Sequence, residues 1–293
     1  MSLGGGEGPR MRTALAPQEK ELVFAGAVPG QSLGKGLEDE GDAAEDIPVR
    51  RRRRFPLLGY AGMPVALGLA ALLLYLWVQG RELDSIEARR VNAEVIREAF
   101  VEHMKLSAVS TVIVIALAVP LGVLLTRSFA RWVTPGVVAI ANIGQSVPSI
   151  GVIVLLALAW DIGFWPAIVA LVAYSLLPVL RNTMVGLQQV DHSLIEAARG
   201  MGMTKVAVLG RVELPLAVPT ILAGVRTALV INVGTATLAT FTAAGGLGDI
   251  VSGGISTSRD TTIITGAVLT GILALSIDWL AGVAEDLLRP KGL

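Results

Sequence analysis

From residue 56 onward the chain alternates long apolar runs with short polar islands. Apolar runs occupy 56–79, 106–126, 134–159, 165–181, 216–241 and 262–285. A helix rises 1.5 Å per residue, so about 17–25 apolar residues cross a ~30 Å hydrocarbon core. The pattern therefore predicts six transmembrane helices in an all-α polytopic membrane protein. Between the first two runs, residues 80–105 carry five basic and six acidic side chains, while Leu83, Ile86, Val91, Val95, Ile96 and Phe100 recur with a loose helical period. This segment is expected to form a helix outside the membrane, on its surface or against the bundle. The Gly-rich stretch AAGGLGDIVSGG (243–254) predicts a re-entrant turn or a flexible loop at the outer mouth. Residues 1–49 show no sustained apolar period and combine nine acidic with four basic side chains, nine Gly and four Pro. Too little apolar surface is available there to offset the entropy of ordering, so 1–54 reads as a disordered tail ending in an arginine run.

Composition supports the membrane assignment. The chain is 53% hydrophobic and 16% charged, with mean hydropathy +0.66, whereas soluble domains are nearer a quarter charged. Net charge is zero, but in a membrane protein the placement of charge carries the information. Arg50 to Arg54 directly precede the first apolar run, which assigns them to cytoplasmic retention rather than to nucleic-acid binding. With six spans both termini are then cytoplasmic, including the short C-terminus 289–293. From residue 50, predicted inside segments hold thirteen Lys and Arg and outside segments six, five of those six within 80–105. Trp77, Trp132, Trp160, Trp165 and Trp279 fall at predicted span ends, where an apolar ring with a polar N–H is best placed. There is no cysteine, and the two histidines, His103 and His192, are far apart, so neither a disulfide framework nor a metal cluster is predicted. His103 reads as a packing histidine near the interface. The segment GQSLGKG (30–36) resembles a phosphate loop superficially, but it lacks the leading Gly, the final Ser/Thr and a preceding strand. The chain should not hydrolyse ATP itself, and no cofactor is expected.

One polar island stands apart: DHSLIEAARGMGMTKVAVLGRVELP, 191–215. Ser193 and Glu196 have capping-box spacing, predicting a short helix that starts at Ser193. Gly200 and Gly202 should end it. Thr204 is placed to cap a second short helix ending near Gly210, and Pro215 and Pro219 should lead into the next span, where Pro near a first turn is tolerated. The spacing Glu196-Ala197-Ala198, Gly202, Val212, Leu214-Pro215 resembles the EAA motif of ABC importer permeases, with Val212 where Ile is usual. The stretches NIGQSVPS (142–149), LPVLRNT (177–183), LPLAVPTILAGVRTA (214–228) and AAGGLGDIVSGGI (243–255) resemble permeases for glycine betaine, choline, carnitine and related osmoprotectants. The resemblance runs roughly from His103 to Gly271. It implies a type I ABC importer permease core, 106–288, in a bacterial inner membrane. Residues 55–105 would add an accessory span and the charged outside helix. It also implies ATP-binding cassette subunits docked on the 191–215 coupling loop through Glu196, Ala197, Ala198, Gly202, Leu214 and Pro215. A binding protein outside and a second permease subunit, identical or different, complete the implied assembly.

Polar residues inside the spans are candidates for the translocation path. Asn142, Gln145, Ser146 and Ser149 are spaced i, i+3, i+4, i+7, on one face of a straight helix, and Pro148 can kink it. Asn232, Thr235, Thr237 and Thr240 add polar groups in the fifth span. Two roles fit these residues equally: lining a wet path, or hydrogen bonding between helices. Arg226 lies well inside the fifth span, and Asp278 in the sixth is a candidate partner. An amino-acid or methionine-type ABC permease is the alternative within the same architecture. An ion-coupled secondary transporter is a further alternative, but it calls for embedded carboxylates and repeat symmetry. Neither is evident here.

Overall fold

The computed structural model describes residues 57–288. The expected tail 1–54, its arginine run and the C-terminal 289–293 lie outside the described residues. Among the described residues there is no strand. The helices are α1 (Leu57–Gln79), α2 (Glu87–Arg90), α3 (Ala93–Leu125), α4 (Thr134–Ser146), α5 (Ser149–Ala159), α6 (Phe164–Gln188), α7 (His192–Gly200), α8 (Lys205–Val208), α9 (Leu214–Ala236), α10 (Leu247–Thr257) and α11 (Asp260–Leu288). Among the described residues, five helical stretches are long and apolar enough to cross a membrane, and a sixth results if the bent pair α4–α5 counts as one span.

Three expected boundaries differ. The charged segment is not a separate surface helix. Asn92 caps α3 by accepting from the Val95 N–H, and α3 then runs unbroken for 33 residues, about 50 Å. Charged side chains on an exposed face do not interrupt a helical backbone, and no Gly or Pro intervenes before Pro120. The boundary drawn at 105/106 therefore falls inside α3, and Ala99 packs in a core with Val233, Leu247, Ile250, Leu273 and Ile277. The third span is not one straight helix: at Val147 and Pro148 the chain turns by 94° between α4 and α5. The Gly-rich stretch is not a loop, because residues 247–257 form α10, which packs on α11. Its N-terminus is closed by α3: the Glu102 carboxylate accepts from the Gly246 N–H at 3.0 Å and His103 Nδ1 accepts from the Leu247 N–H at 3.2 Å. His103 is fully buried, not interfacial, and its Nε2 donates to the Val233 carbonyl at 2.9 Å.

The centre of the bundle is α3, α6 and α9, packed through Val114, Ala118, Leu125, Val179, Leu180 and Ala228. Small residues let these helices approach closely. A Cβ on Gly224 of α9 would lie 2.6 Å from the Asn182 Cβ of α6. Helix α1 lies along α11, where the Tyr60 hydroxyl donates to Asp286 at 2.8 Å. Arg226 of α9 and Asp278 of α11 form the expected pair, doubly hydrogen-bonded at 2.6 and 2.7 Å. Trp279, expected at a span end, lies nine residues inside the end of α11, with its indole N–H buried and unpartnered among the described residues.

Candidate functional site

The island 191–215 forms a compact knob at the bundle end where α6 stops and α9 begins. Its helix α7 starts one step earlier than the capping-box spacing predicts. Asp191, not Ser193, is the cap: its Oδ1 accepts from the Ser193 N–H at 2.8 Å. That hydrogen bond holds the Asp191 carboxyl below the ordinary carboxylate range. The Glu196 carboxylate does not turn back to Ser193; it sits 3.1 Å from His192 Nδ1 on the exposed face. The chain's own capping box is elsewhere. Asp84 accepts from the Glu87 N–H at 2.8 Å, and Glu87 accepts in return from the Asp84 N–H at 3.2 Å.

Gly202 ends α7 in a Schellman turn. Its N–H donates to the Arg199 carbonyl at 3.0 Å and that of Met203 to the Ala198 carbonyl at 3.2 Å, with Gly202 at φ +86°. Only Gly adopts this conformation without a Cβ penalty. Thr204 caps α8 as expected, accepting from the Ala207 N–H at 3.2 Å. The second helix does not stop at Gly210, however. It continues through a π turn, Leu209–Glu213, into α9, whose first turn holds Pro215 as expected, while Pro219 lies inside α9. Pro215 has no N–H to give the Arg211 carbonyl, and the adjacent turn widens, with the Leu214 N–H reaching back five residues to the Leu209 carbonyl.

Of the motif residues, Ala198 is buried while Glu196, Ala197 and Gly202 are exposed. Leu214 packs beside Leu187, Ala217 and Ile221, fixing the knob to α6 and α9. Leu194, Met201 and Val206 present bare apolar surface; Met201 and Val206 are 77% and 79% exposed. Beneath the knob is an ion pair that sequence reasoning missed. Arg127, at the end of α3, places Nη2 2.6 Å from the Glu213 carboxylate, and Glu213 is buried. The only signal in the sequence was a carboxylate lodged between Val212 and Leu214.

The polar stripe divides. Asn142 and Gln145 stay together on α4, with Ser146, whose hydroxyl donates to the Asn142 carbonyl. Asn142 accepts from Arg181 at 2.7 Å, and Gln145 donates to the Tyr174 carbonyl at 2.6 Å. That carbonyl is the one left free in α6 because Pro178 has no N–H. Ser149 is no longer on that face, since the 94° break precedes it. Asn232 is fully buried and donates to the Thr111 hydroxyl at 2.9 Å across the α3–α9 contact. Its Oδ1 is buried and has no hydrogen-bond partner among the described residues.

Among the described residues the architecture is an all-helical bundle of apolar, membrane-length helices with a paired short-helix knob at one end. Residues 118–290 match the family described as binding-protein-dependent transport system inner membrane component. The chain belongs to this family and is a permease subunit of an ABC importer. It is a transport subunit rather than an enzyme, and its family implies a separate ATP-binding subunit and a substrate-binding protein. Carnitine transport permease protein OpuCD of Listeria monocytogenes serotype 1/2a (strain 10403S) is 40% identical over 208 residues, 70% of this chain and 92% of the relative. Choline transport system permease protein OpuBB of Bacillus subtilis (strain 168) is 43% identical over 192 residues, 66% of this chain and 88% of the relative. Among solved structures, an inward-facing MetNI methionine ABC transporter matches with TM-score 0.61 and 26% identity, covering 68% of this chain and 98% of that one.

Proposed function

We propose that this subunit imports a small quaternary-amine osmoprotectant such as glycine betaine, choline or carnitine. The observation that carries the substrate class is the naming of relatives for these compounds, at 38–43% identity over most of their own length. The methionine transporter likeness is weaker, at 26–27% identity. In this reading the knob end is cytoplasmic and both termini lie on that side, because arginines cluster there. Glu196, Ala197 and the exposed apolar residues Leu194, Met201 and Val206 meet the ATP-binding subunit, while Gly202, Leu214 and Pro215 hold the knob's shape. A second permease subunit covers α4, none of whose residues is buried within the single chain. Polar Asn142, Gln145 and Ser146 there suit a wet path better than lipid. The test is uptake in cells that lack other osmoprotectant importers, expressing this subunit with its ATP-binding subunit and binding protein. Labelled glycine betaine, choline or carnitine should accumulate, and excess methionine should not compete. Uptake of methionine or another amino acid instead would overturn the substrate class.

A further inference from the structure

We propose that the Arg127–Glu213 ion pair is the strut through which displacement of the knob reaches the broken span α4–α5. This rests on the reading of 191–215 as the ATPase-docking knob.

Glu213 ends the π turn that joins the knob to α9, so it moves with the knob. Its carboxylate is buried and grips Arg127 with two guanidinium nitrogens, at 2.6 and 3.4 Å. A forked guanidinium–carboxylate pair fixes orientation as well as distance. The third guanidinium nitrogen, Nε, donates to the Val123 carbonyl at 3.2 Å, tying Arg127 to the last turn of α3. Among the described residues no other ion pair joins 191–215 to another part of the chain.

From Arg127 the connection to α4 is short. Residues 126–133 include a 3₁₀ turn, Ser128–Ala130. The Thr134 hydroxyl, on the first residue of α4, lies 2.9 Å from both the Leu125 and the Ala130 carbonyls. A shift of Glu213 therefore moves the start of α4 rather than being absorbed by a slack loop. Helix α4 is also lightly packed within the single chain: like α1 among the described residues it has no buried residue, and α5 buries only Ile153. Between α4 and α5 the chain already turns at Val147–Pro148, where a change of angle breaks few backbone hydrogen bonds. Within the single chain, the element that carries Asn142 and Gln145 is thus lightly packed, held to α6 by side-chain hydrogen bonds, and mechanically linked to the knob.

The experiment uses the complete importer in vesicles: permease, ATP-binding subunit and binding protein. It compares native protein with Glu213→Gln, Arg127→Glu, Glu213→Arg and the double swap of both charges. The readout is the ratio of ATP hydrolysis with substrate-loaded binding protein to basal hydrolysis, alongside recovery of the ATP-binding subunit with the permease. A residue that serves folding alone changes the amount of complex, not this ratio. Glu213→Gln and each single reversal should retain the ATP-binding subunit and lower the ratio at least fivefold; the double swap should return it to within threefold of native. If a reversal fails to assemble, the near-isosteric Glu213→Gln decides. Full stimulation in an assembled single variant, or a double swap that assembles without recovery, overturns the strut. Native protein that neither retains the ATP-binding subunit nor shows stimulation overturns the docking reading and the strut with it.

Discussion

Gly202 shows how one residue sets the geometry of the 191–215 knob. At φ +86° it closes the α7 turn, and no atom lies within 4 Å of where a Cβ would stand. Crowding is therefore not the constraint; the backbone conformation is, at about 1–2 kcal/mol for an L side chain. Gly202→Asp should leave membrane abundance near native, since span hydrophobicity and flanking charge govern insertion. It should release the ATP-binding subunit, measured as its loss on co-purification. This separates it from the Arg127 and Glu213 variants, which keep docking and lose stimulation. Undiminished co-purification would show that the turn does not shape the docking surface. Gly202 could be read from sequence because a left-handed helix end has few solutions. The cap could not: Ser193 and Glu196 fit the box pattern, but Asp191 two positions earlier offers a carboxylate to the same first turn. The true box at Asp84 and Glu87 went unread inside a charged stretch where every third residue can pair with something.

At the scale of elements, hydropathy located each apolar stretch, because burial of apolar length is a one-dimensional property. It failed where tertiary contacts decide. Charge marked 93–105 as separate, yet Ala99 and His103 bury themselves between helices from the far end of the chain. Pro148 announced a kink, but its 94° size depends on α6, whose Pro178-freed carbonyl receives Gln145. Gln145→Leu takes away that partner; a fully buried acceptor left unpaired costs about 1–3 kcal/mol, and this part-buried carbonyl costs less, the more so where the membrane-unfolded state finds substitutes. The variant should show reduced transport and a modest loss of thermal stability at unchanged ATP-binding-subunit association. Ser149→Leu, on the far side of the break, probes the path without removing that bond. Normal transport rates in both variants would assign the polar residues to packing.

For the whole molecule, orientation rests on arginine and tryptophan placement, and the chain's lack of cysteine makes it directly measurable. Single cysteines at Ser85, Ser193 and Ser256, treated in intact cells with a membrane-impermeant thiol reagent, should label at Ser85 and Ser256 and be protected at Ser193. The opposite pattern would invert the assembly. The bundle of five or six apolar spans was legible because hydrophobic length and flanking charge are written linearly. The Arg226–Asp278 pair was legible too, since a charge inside a span needs a counter-charge at matching depth. The Arg127–Glu213 pair was not, because its residues are 86 positions apart and Arg127 read only as a flanking positive charge. Finally, Lys205 to Thr242 is one continuous helical stretch of 38 residues, roughly 55 Å long. A close approach of α9 to α6, at Gly224, falls 19 residues from one end and 18 from the other. Such a rod is a see-saw with its fulcrum at mid-length. Its arms are about 28 Å each, so a tilt of about 5° carries both tips about 2.5 Å in opposite directions.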